Sequence, residues 1–116
     1  MSEPIFHITT TAEWAVALEA GWYTTPSLDD EGFIHTSTAR QVPATAARFY
    51  ADVDDLLLLQ IDADVVAAEI KWESSHDDLF PHIYGPLEVS AVMVVRPFGP
   101  DPDGGFPTPS VDPSDQ

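Results

Sequence analysis

Residues 56–61 read Leu-Leu-Leu-Leu-Gln-Ile, and this stretch decides the fold. A run of that length suits a β-strand and falls far short of the ~20 apolar residues needed to cross a bilayer. Its apolar positions are continuous rather than alternating, so it predicts a strand covered on both faces and therefore central in its sheet.

The rest of the chain supplies the cover. On the N-terminal side, Ile5-Phe6-His7-Ile8 is a short β-prone run that ends at Thr9-Thr10-Thr11. Thr10-Thr11-Ala12-Glu13 fits a capping box, Trp14, Ala17 and Leu18 follow at helical spacing, and Gly21 supplies the stop. Trp22-Tyr23 is a brief strand, Pro26 to Glu31 a polar loop, and Gly32 to Thr36 extended chain. Ser37 or Thr38 caps a second helix, with Gln41 three residues beyond Thr38, Pro43 in the first turn, and Val42, Ala46 and Phe49 as its apolar stripe.

On the C-terminal side, Glu69-Ile70-Lys71-Trp72-Glu73 alternates as a half-buried strand does. His76 to Leu79 reads as an acidic loop, Phe80 to Tyr84 as chain leading into a turn at Gly85-Pro86, and Val89 to Val95 as a final strand. The sum is a small α+β domain. Its expected architecture is a mixed, mostly antiparallel sheet of five or six strands with two helices in the N-terminal half. From Pro97 onward six of the eleven prolines gather with aspartate and glycine, which predicts a folded domain over residues 1–98 and a flexible tail over 99–116.

At 116 residues the chain is long enough for one core. Twenty acidic side chains face four basic ones, a formal charge of −16. Arg40, Arg48, Lys71 and Arg96 are scattered singly, so binding of nucleic acid through its phosphates is excluded as an expectation, and the same field repels anionic membranes. The acids fall in short pairs such as Asp29-Asp30 and Asp54-Asp55, the pattern of a solvated surface. With no cysteine there is no disulfide framework and no thiolate metal site. The N-terminus lacks a basic region leading into an apolar stretch, and the expectation is a soluble, unexported, cytoplasmic protein.

Three of the four histidines, His7, His35 and His82, sit inside short apolar runs. A buried imidazole needs partners. Either each is tied separately to nearby chain, or the three converge on one solvated cleft, where imidazoles can donate to oxygens or exchange protons near neutrality. Thr9 follows His7, and Ser37 and Thr38 follow His35, at strand–helix junctions where hydroxyls can cap a helix or bind ribose and phosphate oxygens. Zinc held by the three histidines is a rival, without support from i, i+2 or i, i+4 spacing. Neither a nucleophile elbow nor a glycine-rich phosphate loop occurs. His76, beside Asp77 and Asp78, reads as exposed; Glu73 reads as a strand-end carboxylate whose pKa would rise if it lay against an apolar ring.

Ile5-Phe6-His7-Ile8-Thr9, Glu31-Gly32-Phe33-Ile34-His35-Thr36-Ser37-Thr38, Leu56 to Asp62, Lys71-Trp72-Glu73 and Phe80-Pro81-His82-Ile83-Tyr84-Gly85-Pro86-Leu87 together resemble the domain-of-unknown-function 952 family. That family has a fold similar to the ADP-ribosyltransferases. The resemblance implies that Phe6-His7-Ile8-Thr9 matches their aromatic-His-Gly-Thr strand, with His7 and Thr9 on the ribose of NAD and Ile8 in the usual place of glycine. It implies that His35, Ser37 and Thr38 match the motif that packs on nicotinamide. At the position of the catalytic glutamate the resemblance leaves this chain His82 or Tyr84, with Glu73 as a further candidate. Such a change fits a histidine-based relative acting on a phosphorylated or nucleotide-like small molecule, or a binding-only descendant.

The expectation is thus a cleft with His35, His82 and Tyr84 as catalytic groups. His7, Thr9, Ser37 and Thr38 would be cofactor-binding, with NAD as the candidate cofactor and no metal. Ribosyl or phosphoryl transfer is the reaction class. A non-catalytic ligand-binding module and a zinc hydrolase are the alternatives.

Overall fold

The computed structural model describes residues 3–109. Along the chain lie β1 (Ile5–Thr10), α1 (Thr11–Ala20), β2 (Trp22–Tyr23), α2 (Pro26–Asp30), β3 (Ile34–His35), α3 (Val42–Phe49), β4 (Leu56–Ile61), β5 (Glu69–Ser75), β6 (Asp78–Tyr84), β7 (Leu87–Glu88) and β8 (Val92–Phe98), with short 3-10 turns before α3 and after β4 and β7. It is an α+β fold in which every strand pairing is antiparallel.

β4 is central, as its apolar run dictates: the first sheet has the order β1-β4-β8. Leu59 and Ile61 pack with Ile5, Trp14 and Tyr23 on one side, and Leu56 and Leu58 with Phe6, Ile8, Val42 and Ala46 on the other. Alternate residues of the strand serve the two layers, α1 covering one face and α3 the other. The one polar member, Gln60, is fully buried, and its Oε1 accepts from Arg96 Nη2 at 2.9 Å. Burying each of these leucines is worth about 1.5–3 kcal/mol.

Helix α1 begins and ends where its signals predict. Thr10 Oγ1 accepts the Glu13 N–H at 3.2 Å, and Gly21, at φ 84°, returns its N–H to the Ala17 carbonyl at 2.8 Å. The 3-10 turn Ala39–Gln41 precedes α3, with the Gln41 side chain accepting from the Thr38 N–H at 2.9 Å and Pro43 in the first helical turn.

Three features depart from the sequence expectation. Pairing is divided over three sheets and eight strands, because β2 pairs with β7 and β3-β6-β5 forms a sheet of its own. Residues 26–30, expected as loop, form the short helix α2 with proline in its first turn. The expected acidic loop at His76 is instead the turn of a tight β5–β6 hairpin: Ser75 pairs with Asp78, and His76 and Asp77 both take positive φ (50° and 64°), the conformation that two-residue hairpins require. Histidine and aspartate tolerate that region better than most residues.

A single bridge joins the two larger sheets. Phe6 N–H donates to the Ser37 carbonyl at 2.7 Å and Ser37 N–H to the Phe6 carbonyl at 2.8 Å. The edge of β1 is thereby stitched to the segment leaving β3, and the seam sets His7 beside His35.

After β8 the chain returns to the core. Phe106 is 9% exposed, stacks on Phe98 with ring centroids 5.5 Å apart, and joins the cluster of Phe6, Ile8 and Leu58. The sequence reading closed the folded unit at residue 98 and did not anticipate this contact, since one aromatic among prolines carries no periodicity. Residues 110–116 of the expected tail lie outside the described residues.

Candidate functional site

Strand register gathers the histidines. His35 on β3 is directly opposite His82 on β6, so both side chains leave the sheet on the same face, and their rings lie 5.3 Å apart. Period-two alternation brings Phe80 and Tyr84 of β6 and Glu73 and Ser75 of β5 to that face. Ile34, Ile83 and Ile70 take the other face and enter the core. From the first sheet, His7 crosses the seam, and its Nδ1 meets the His35 carbonyl at 2.5 Å. The result is a cleft of about 520 Å³ whose lining includes His7, His35, Ser37 and His82.

Each imidazole is held differently. His82 is buried; its Nδ1 lies 2.8 Å from Glu73 Oε1, which also accepts the Tyr84 hydroxyl at 2.6 Å, and Phe33 stacks on its ring at 4.1 Å and 13°. The carboxylate can only accept there, so Nδ1 carries the proton and the neutral ring presents the lone pair of Nε2. His35 has a 55% exposed side chain and places Nε2 2.9 Å from Glu31 Oε1. Two neighbouring imidazoles thus each have one nitrogen spoken for by a carboxylate.

His7 is 6% exposed and both its nitrogens are engaged, Nδ1 by the His35 carbonyl and Nε2 by the Tyr23 hydroxyl at 2.9 Å. Burial lowers its pKa to about 4, against the partial support of the His35 hydrogen bond. With Nδ1 donating to a carbonyl, the Nε2 of the neutral ring must accept, and Tyr23 gives it the proton. Tyr23 is free to donate to Thr9 Oγ1, 2.8 Å away, only when His7 Nε2 itself bears a proton. Burial raises the Tyr23 pKa, and Thr9, with one hydroxyl proton, donates either to Tyr23 or to Glu13 Oε1, 3.3 Å away.

Glu73 requires a correction. Its pKa is lowered, not raised: the hydrogen bonds from Tyr84 and then His82 stabilise the carboxylate more than desolvation opposes it. Trp72, the ring expected to raise it, points to the opposite face of the sheet and lines a separate hollow. Tyr84 answers in kind, its pKa pushed up to about 12 chiefly by the bond to Glu73.

A family described as "Protein of unknown function (DUF952)" has a profile that matches residues 8–95. The chain belongs to the DUF952 family. It is similar to protein CC0527 from Caulobacter crescentus, whose crystal structure is 34% identical, with 90% of this chain and 93% of that chain covered and a TM-score of 0.81. The solution NMR structure of the same protein is 35% identical over 89% of this chain and 90% of that one, with a TM-score of 0.75. No curated protein matches significantly.

In this DUF952 chain the residues singled out from sequence divide into two groups. His7, His35, Ser37 and His82 line the cleft. Thr9, Thr38 and Tyr84 do not: Thr9 is buried behind His7, Tyr84 reaches the site through Glu73, and Thr38 lines the separate hollow beside Trp72. Among the described residues no three His, Cys, Asp or Glu side chains are grouped so as to hold a metal ion. Sequence reasoning missed His76, Arg48, Tyr23 and Glu13, all of which line the cleft. A tight hairpin turn carries His76 to it and the last turn of α3 carries Arg48. The missed signal was the two-residue spacer between strands.

Proposed function

We propose that the cleft binds a nucleotide-like, phosphorylated small molecule, NAD or an ADP-ribose compound first among them, and that His82 and His35 move protons in phosphoryl or ribosyl transfer. The observation that carries this reading is the opposed His35–His82 pair, rings 5.3 Å apart, each with a carboxylate on one nitrogen. A cleft of about 520 Å³ is in the range that encloses a small ligand.

His82, with its proton on Nδ1, is the base. Its Nε2 takes the proton of an attacking hydroxyl, while protonated His35 gives one to the departing oxygen as the new bond to phosphorus forms and the old one breaks. Ribosyl transfer from NAD needs only the base, because nicotinamide leaves uncharged. The resemblance to ADP-ribosyltransferases that makes NAD the first probe is carried by Phe6-His7-Ile8-Thr9 and by the run from His35 to Thr38. His7 has no free ring nitrogen, so in this reading it is a positioning residue that fixes the His35 backbone rather than a ribose contact.

The test is titration of NAD and of ADP-ribose into isotopically labelled protein. Saturable shifts of the His35 and His82 imidazole signals support the reading. Unmoved signals at millimolar ligand overturn it.

A further inference from the structure

Resting on that reading of the cleft, we infer that Arg48 and His76 form a seat for a phosphate or pyrophosphate group of the ligand, at the hairpin end of the hollow and away from His82. An overall charge of −16 opposes the approach of any anion, so a site for one needs local positive charge. The chain has four cationic side chains, and three are committed elsewhere. Arg40 pairs with Asp78 at 3.0 Å, Lys71 lies 4.5 Å over the Tyr84 ring, and Arg96 donates to Gln60. Arg48 lines the cleft and forms no ion pair among the described residues.

Phe49 links the two members of the seat. The Arg48 guanidinium lies 5.8 Å from its ring centroid, and the His76 ring meets it edge-on at 6.1 Å. His76 is fixed by the left-handed turn and by Ser75 Oγ, 2.8 Å from its Nδ1, which leaves Nε2 for a ligand. The carboxylates that share the cleft are already occupied: Glu13 accepts from Thr9 and Thr10, and Glu31 bonds His35. Guanidinium and imidazole donors beside an apolar ring suit a phosphate oxygen cluster.

Distance separates this seat from the reacting end. Four residue steps along β6 separate the levels of Asp78 and His82, roughly 13 Å at about 3.3 Å per residue, and His76 stands beyond Asp78. A group bound at Arg48 is therefore a distal anion of the ligand and not the one attacked, which makes the substrate class a molecule with the span of a nucleoside diphosphate.

Inorganic pyrophosphate, titrated into the labelled full chain at constant ionic strength, tests the seat. Saturable shifts of the Arg48 Nε and His76 imidazole signals are expected. Arg48→Gln should weaken binding about tenfold, while Arg40→Gln, which removes the same charge outside the cleft, should leave it unchanged. His76→Asn, whose side chain suits the turn, should also weaken it, and amide dispersion checks that each variant is folded. Equal affinity of the Arg48→Gln and Arg40→Gln proteins, or shifts confined to other residues, would overturn the proposal. If pyrophosphate binds at Arg48 and His76 while NAD and ADP-ribose do not bind, the seat stands and the nucleotide reading falls. The reverse result removes the seat alone.

Discussion

Glu73 Oε1 accepts two hydrogen bonds at once, from His82 Nδ1 at 2.8 Å and from the Tyr84 hydroxyl at 2.6 Å. The arrangement follows from register, since His82 and Tyr84 are alternate residues of β6 and Glu73 lies diagonally across on β5. One carboxylate therefore sets the tautomer of an imidazole in the cleft and holds a phenol outside it.

Replacing Glu73 with alanine should release both partners. The Tyr84 pKa, now pushed up to about 12 mainly by this bond, should fall back toward about 10, the unperturbed tyrosine value. Absorbance of ionised tyrosine during an alkaline titration reads the change, with Tyr84→Phe identifying which phenol moved. In the same variant the nitrogen shifts of His82 should reveal a mixture of tautomers. A Tyr84 titration identical to that of the unaltered protein would show that Glu73 does not govern the pair.

His7 predicts an acid-sensitive stability with a defined window. Its folded pKa of about 4 lies below the model-peptide value of 6.5, so the unfolded chain binds the proton more readily. The stability contributed by the neutral buried ring is then complete above pH 6.5, is lost as the pH falls, and is gone below about 4. A shift of that size corresponds to roughly 3 kcal/mol. Glu73 and Asp78, whose carboxyls are also held below their usual range, act in the same direction at lower pH. Urea unfolding of the protein and of His7→Gln at pH 7, 5.5 and 4.5 separates the contributions. The variant should be the less stable at neutrality and the flatter across this window, and parallel pH profiles would refute the assignment.

The sequence made β4 legible because a strand buried on both faces has to be apolar at every position, and α1 legible because its cap and its stop are local chemistry at Thr10, Glu13 and Gly21. Three of the four cleft histidines were visible as polar residues in apolar runs. His76 was not, because aspartate neighbours disguise a two-residue turn as a solvated loop and only pairing of β5 with β6 reveals it. Arg48 and Tyr23 reach the cleft through tertiary packing, which leaves no periodic trace. The role of Glu73 depended on the register that puts it on the same sheet face as His82, something alternation alone leaves undecided by one residue.

Alanine at His35 and at His82 should have different consequences. His35 is largely exposed, and its loss should cost about 0.5 kcal/mol or less, whereas His82 is buried and leaves the bond to Glu73 unmade, a cost of about 1–3 kcal/mol. Thermal or urea unfolding measures this. If the cleft transfers phosphoryl groups, His35→Ala should abolish turnover of a ligand that still binds, with its fold intact; ribosyl transfer from NAD, which needs only the His82 base, should survive it, and a binding-only module would keep the ligand and show no turnover in either protein.

Phe106 extends the folded unit beyond β8. It is buried against Phe98, Phe6 and Leu58 although seven residues, two of them prolines, separate it from the end of β8 at Phe98 and it lies in no strand. Removing a buried phenylalanine side chain costs on the order of 3 kcal/mol where the site does not collapse. Phe106→Ala and a chain ending at Gly99 should therefore lose similar amounts of stability by urea unfolding, because both vacate the same space beside α3. A truncated chain as stable as the full one would mean that the aromatic contact contributes nothing net, its packing gain cancelled by the entropy of ordering the segment that carries it.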